Sequence, residues 1–194
     1  MDLNLIIVIA LVALVALVIT CAYLAREFIN PKGKNAYKKT AGILARFALP
    51  RGFKVLKNVQ IGTNDKSIIA ENILIGYFGI LIVRTLGAKG SYYGTLESDK
   101  WSIVRDEKKA YLPNAVLQLK QDEAAVRAVF ANKNIYNIPI EYVVYMTNKS
   151  NKTQLHITNS GEILTPGKLG GYLNKTKFEK DAGIDVKKIA SVLS

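Results

Sequence analysis

The chain has 194 residues, 49% of them hydrophobic, with 27 Lys or Arg against 15 Asp or Glu. The averages hide two unlike parts: residues 3–25 carry no charge, only Asn4 and Thr20 among them fall outside the hydrophobic set, and every basic residue lies at Arg26 or beyond. This excludes a multi-pass membrane protein and a disordered basic tail. A single cysteine and a single histidine exclude a disulfide framework, a cysteine-cluster zinc site and a paired-histidine metal site.

As a helix, residues 3–25 span roughly 34 Å, enough to cross a hydrocarbon core of about 30 Å with some tilt. No Lys or Arg precedes the run and it exceeds a signal-peptide core, so it reads as an uncleaved anchor rather than a cleaved leader. Val18-Ile19-Thr20-Cys21 resembles a lipobox, but the basic segment that should precede one is missing. Only Asp2 lies before the run, whereas Arg26, Lys32, Lys34, Lys38 and Lys39 follow it. Positive-inside bias therefore predicts a single-pass protein with a cytoplasmic carboxy-terminal domain. Asn30-Pro31-Lys32-Gly33 breaks the helix, and Tyr37 to Leu49 then has the spacing of a short amphipathic helix stopped by Pro50. Lys32, Lys34, Lys38 and Lys39 are candidates for contact with anionic lipid headgroups. A nucleic-acid backbone and a solvated helix face packed on the domain are the competing readings.

Phe53 to Ile61, Ser67 to Ile75 and Gly79 to Thr85 read as strands, the first two joined by a turn at Asn64-Asp65-Lys66. Short strands follow at 90–94, 101–105 and 110–112, the last two separated by a turn at Asp106-Glu107-Lys108-Lys109. A helix opens at Pro113 or Asn114 and runs to about Ala131. Ile138 to Met146 is apolar and β-branched enough for a buried central strand. Thr153 to Ile157 is another strand. Thr165-Pro166 predicts a helix N-terminus for a short helix ending at Leu173, and Asp181 to Leu193 a final helix. The order predicts an α/β fold with a mixed central sheet flanked by helices, behind one transmembrane helix. The expected divisions are an anchor at 1–27, a basic juxtamembrane segment at 28–50, a domain at 51–175 and a carboxy-terminal helix at 176–194.

From Arg51 to Leu173 the series resembles the nuclease-related domain family of the restriction-endonuclease-like superfamily. Val55-Leu56-Lys57-Asn58-Val59 is similar to the family's first strand. Ala70 to Ile75 followed by Gly79 to Val83 is similar to its central hairpin. Gly90, Gly94 and Trp101 resemble its glycine-glycine-tryptophan stretch, and Asn114-Ala115-Val116-Leu117-Gln118 its Asn-Pro-x-x-Gln helix start. The resemblance implies a Mg²⁺-dependent phosphodiesterase site. It would use an Asp on the second strand, a Glu-x-Lys at the end of the third and a Gln on the following helix.

This sequence departs from that pattern: the Asp position is Glu71, the Glu position Arg84 and the Lys position Leu86, while Gln118 is retained. A guanidinium opposes a divalent cation by like-charge repulsion. The expectation is therefore a degenerate site with no metal and no catalytic residue, in which Glu71 and Arg84 pair with each other. Arg84, Lys89 and Arg105 are candidates for phosphate contact in a nucleic-acid-binding or scaffold module, a protein being the other possible partner. Trp101 and the Tyr92-Tyr93 pair are candidates for base stacking, weighed against packing in the core. The alternative is a divergent Mg²⁺-dependent nuclease using Glu71 and a relocated carboxylate.

Overall fold

β-branched and leucine side chains dominate the strands of the main sheet, which follow the order β1-β2-β3-β7-β9. They are β1 (Lys54–Thr63), β2 (Lys66–Gly76), β3 (Gly79–Leu86), β7 (Ile140–Met146) and β9 (Ile163–Leu164). β1, β2 and β3 pair antiparallel, whereas β3, β7 and β9 run parallel, so the sheet is mixed as the sequence predicts. The computed structural model describes residues 3–29, 33–63, 66–149, 151, 153–158 and 161–194. The expected helix break at Asn30-Pro31-Lys32-Gly33 and the turn at Asn64-Asp65-Lys66 lie outside them, save for Gly33, which begins a helix, and Lys66, which begins β2.

Helices cover both faces of this sheet. On one side α3 (Ala115–Asn132) and α5 (Val186–Leu193) close over Ile73, Ile80, Ile82 and Val144. On the other, α2 (Gly33–Ala48) and α4 (Lys168–Leu173) close over Leu74, Leu81, Val83 and Val143. β3 and β7 are buried on both faces and therefore read as continuous apolar runs rather than alternating ones.

α2 begins earlier than the sequence suggests. Ala36, Thr40, Leu44 and Ala48 are buried at four-residue spacing, while Lys38 and Arg46 stay exposed. Its apolar stripe is thus spent on the sheet. A 3-10 turn at Leu49–Arg51 follows, with Pro50 inside it.

A second sheet, not foreseen as separate, has the order β6-β5-β4-β8. It comprises β4 (Ser91–Gly94), β5 (Lys100–Arg105), β6 (Lys108–Pro113) and β8 (Gln154–Ile157). Its inner face, with Tyr92, Trp101 and Ile157, joins the core under α3.

α1 (Leu3–Ile29) is one uninterrupted helix of 27 residues. Its large hydrophobic side chains from Val8 to Leu24 are exposed. The hydroxyl of Thr20 donates to the carbonyl of Ala16 at 2.8 Å, so it is satisfied within the helix. Among the described residues no helix is long and apolar enough to cross a membrane, the side chains of α1 being described only over residues 8–24.

Two carboxy-terminal boundaries differ from expectation. Gly167, in the left-handed region at φ 85°, holds the cap position of α4 without a side-chain bond, so Thr165-Pro166 belongs to the preceding turn. Gly183 at φ 71° likewise delays α5, whose cap is Asp185 accepting from the amide of Lys188 at 3.0 Å.

Candidate site at the ends of strands β2 and β3

Glu71 and Arg84 sit just beyond the Asn72–Val83 pair of the β2–β3 hairpin. Their side chains nevertheless go to different places. Asn58, opposite Glu71 on β1, takes a left-handed conformation at φ 50°. The phase of burial shifts there in both strands. Val59 and Ala70 on one side of the kink share a core with Ile73 and Ile75 on the other, although strict alternation would separate Ala70 from Ile73.

Glu71 consequently lines an open cleft of ≈ 590 Å³ beside α2, together with Tyr37, Lys38, Asn58 and Thr85. Its Oε2 accepts from the backbone N–H of Thr85 at 2.8 Å. The hydroxyl of Thr85 donates to that of Thr40 at 2.9 Å and so ties the cleft floor to α2. Burial raises the Glu71 carboxyl above its usual value, opposed by the Thr85 amide and the Arg84 guanidinium.

Arg84 turns instead toward α3. Its Nη2 donates to Oδ2 of Asp122 at 2.7 Å and to Oδ1 at 3.0 Å, while Nη1 donates to Oε1 of Gln118 at 3.2 Å. The Asp122 side chain is 2% exposed and that of Arg84 15%, so the ion pair is nearly dry. Burial raises the Asp122 carboxyl, against the hydrogen bond and charge of Arg84.

The expected Glu71–Arg84 salt bridge is therefore replaced by Arg84–Asp122. Gln118 and Asp122, four residues apart on one helix face, grip the guanidinium together. Leu86, expected at the family's lysine position, is buried in the core with Ile82 and Val144.

The other candidates divide similarly. Lys89 and Arg105 meet, lining shared clefts of ≈ 260 Å³ and ≈ 560 Å³ at one end of the second sheet, the larger with Lys108. Arg84 does not join them, being held by Asp122. Trp101 is fully buried, its Nε1–H donating to the carbonyl of Thr95 at 2.8 Å. Tyr92 is also buried, its hydroxyl donating to the carbonyl of Ala88 at 2.7 Å, and burial raises its phenol strongly. Neither is placed for stacking on a ligand. Tyr93 is exposed and lies parallel to His156, with ring centroids 4.6 Å apart.

Of the lipid candidates, Lys32 lies outside the described residues, and Lys34 is within α2 without a described side chain. Lys38 is exposed. Lys39 is half-buried, its ammonium pushed down by burial and then by the charge of Lys149.

A sequence profile of the nuclease-related domain family matches residues 32–147, more than half of the chain. The chain belongs to that family. The match runs from α2 to the end of β7, so the nuclease-related domain takes in the basic helix along with Glu71, Arg84, Leu86, Gln118 and Asp122. No curated protein and no solved structure matches the chain.

The nuclease-related family implies Mg²⁺ at this strand end, and the residues present do not fit it. Glu71 is a single carboxylate bound to a backbone amide, Asp122 is committed to Arg84, and Leu86 offers no donor. Among the described residues no three His, Cys, Asp or Glu side chains gather as a metal would require. A cation already occupies the strand end, and a second one would meet its field at short range.

Proposed function

We propose that this nuclease-related domain protein is a catalytically inert, membrane-anchored module that binds nucleic acid from the cytoplasmic side. The observation that carries inertness is the Arg84–Asp122 ion pair braced by Gln118. It puts positive charge where hydrolysis needs a metal-binding carboxylate, and it takes the nearest other carboxylate out of use. Breaking a buried pair costs several kcal/mol, so the arrangement resists opening to admit a metal.

Anchoring is supported by the uncharged run of residues 3–25 and the unbroken helix around it. Orientation is supported by the lysines and arginines that follow the run. Nucleic acid is favoured over a protein partner by the basic clefts, where Lys89, Arg105 and Lys108 face a single carboxylate, Asp106. The second reading is a divergent nuclease using Glu71, which has an open cleft in front of it.

A cleavage assay separates the two. The full chain in detergent is incubated with supercoiled DNA and with RNA, in Mg²⁺ or Mn²⁺. The expected outcome is no cutting above the metal-only control. Metal-dependent cutting that Glu71→Ala abolishes would overturn inertness.

A further inference from the structure

The second sheet has two faces of opposite character. The inner one is core around Tyr92, Trp101 and Ile157; the outer one is open, and its side chains are not those of a plain solvated surface. Strand pairing places Tyr111, Ser102, Tyr93 and His156 in one row across all four strands, through Tyr111–Ser102, Ser102–Tyr93 and Tyr93–His156. Tyr93 is 42% exposed and Tyr111 67%. The next row is Lys109, Val104, Ser91 and Gln154. Outward positions of the four strands carry two lysines, Lys100 and Lys109, and no carboxylate. The Lys109 ammonium lies 5.2 Å from the Tyr111 ring centroid.

We infer that this outer face is a stacking platform for single-stranded nucleic acid. The inference rests on the nucleic-acid reading above and names its surface and substrate class. His156 covers the β8 side of the Tyr93 ring, so the opposite ring face turns toward β5. There Ser102 offers only a hydroxymethyl group, and beyond it stands Tyr111. The backbones of the two tyrosines are two strand spacings apart, about 10 Å. Two exposed rings thus flank a small polar side chain on the open face.

Bases stack on exposed rings of sheet surfaces without need of a particular sequence, and they must be unpaired to do so. The phosphates have a path as well. The row of Val104, Ser91 and Gln154 runs into the ≈ 260 Å³ cleft lined by Lys89 and Arg105. Rings and cations thus sit on one continuous surface, whereas an acidic protein would need the cations and not the aromatic row.

The test is fluorescence anisotropy of labelled oligo-dT and of a duplex of equal length, at two salt concentrations, with the full chain in zwitterionic nanodiscs. Wild type is expected to bind the single strand more tightly than the duplex, and more weakly at high salt. Tyr93→Ala with Tyr111→Ala is expected to weaken single-strand binding roughly tenfold or more. Tyr93→Phe with Tyr111→Phe, which keeps both rings, is expected to restore it. Single-strand binding that survives the alanine pair overturns the platform and leaves the nucleic-acid reading standing. Absence of binding to either oligonucleotide, with poly-glutamate bound instead, overturns both.

Discussion

Arg84 puts a cation at the end of β3, and Asp122 holds it there. A guanidinium that replaced a carboxylate with no partner would sit almost dry beside α3. Asp122 removes that cost, and Gln118 satisfies another of its N–H groups. Losing one partner of such a pair typically costs 3–5 kcal/mol, while replacing both with apolar side chains of similar volume is often neutral or stabilising. Asp122→Asn is therefore expected to lower stability by about 3 kcal/mol in denaturant melts. Arg84→Met combined with Asp122→Leu is expected to recover most of that loss. If the double variant is as unstable as the sum of its single changes, the two residues do not act as a pair. Asp122 was not legible in the sequence because it lies in the run Lys120-Gln121-Asp122-Glu123, which reads as an exposed helix face. One signal was available: it stands one helical turn beyond Gln118, already a site residue, on the same face.

Among the elements, α3 shows how one cap residue sets both a helix and a loop. The Oδ1 of Asn114 accepts from the amides of Val116 at 2.9 Å and Leu117 at 3.3 Å. Its amide group donates to the carbonyls of Thr95, Leu96 and Ser98 at 3.3, 2.9 and 2.7 Å. The helix that presents Gln118 and Asp122 is thereby fastened to the loop that receives the Trp101 indole. A lost N-cap costs about 0.5–2 kcal/mol, and carbonyls left without a donor add to it. Asn114→Ala is expected to destabilise by roughly 2–4 kcal/mol in denaturant melts. Asn114→Asp, which keeps the cap but not the donors, is expected to lose less. Equal losses would mean that the cap contributes nothing and that the whole cost lies in the loop carbonyls. This cap was readable because asparagine before an apolar periodic run is a local signal. So were the strands β1, β2, β3 and β7, whose composition and length announce them. What could not be read was set by backbone conformation and distant pairing. Left-handed Gly167 and Gly183 shift two helix starts, β9 is only Ile163–Leu164, and the separation of the second sheet leaves no periodic trace. The exposed Tyr93 beside buried Tyr92 was visible only as an alternation, and which of the two faced out depended on the sheet beneath.

For the whole molecule, the distribution of charge matters more than its total. Residues 26–64 hold nine basic residues and one acidic one, whereas residues 65–194 hold eighteen and thirteen. The first group straddles the end of α1 and includes α2, whose apolar stripe is packed on the sheet, so part of the basic collar is fixed to the domain. Ile29 and Gly33 are four residue steps apart, a reach of at most about 14 Å. On the anchored reading proposed above, a domain so closely tethered stays beside whichever membrane surface the collar selects. Positive charge close to an apolar span is retained on the cytoplasmic side, and here it all follows the span. A phosphatase reporter that is active only outside the cytoplasm, and a fluorescent reporter that matures only inside it, can each be fused after Ser194. The fluorescent fusion is expected to be bright in the membrane fraction and the phosphatase fusion silent. Replacing Arg26, Lys32, Lys34, Lys38 and Lys39 with glutamine, while adding lysines after Met1, is expected to reverse both signals, because it moves the charge bias to the other end of the same helix. A phosphatase signal from the unaltered chain would refute a cytoplasmic domain, and with it access to cytoplasmic nucleic acid. Fluorescence in the soluble fraction would refute the anchor itself.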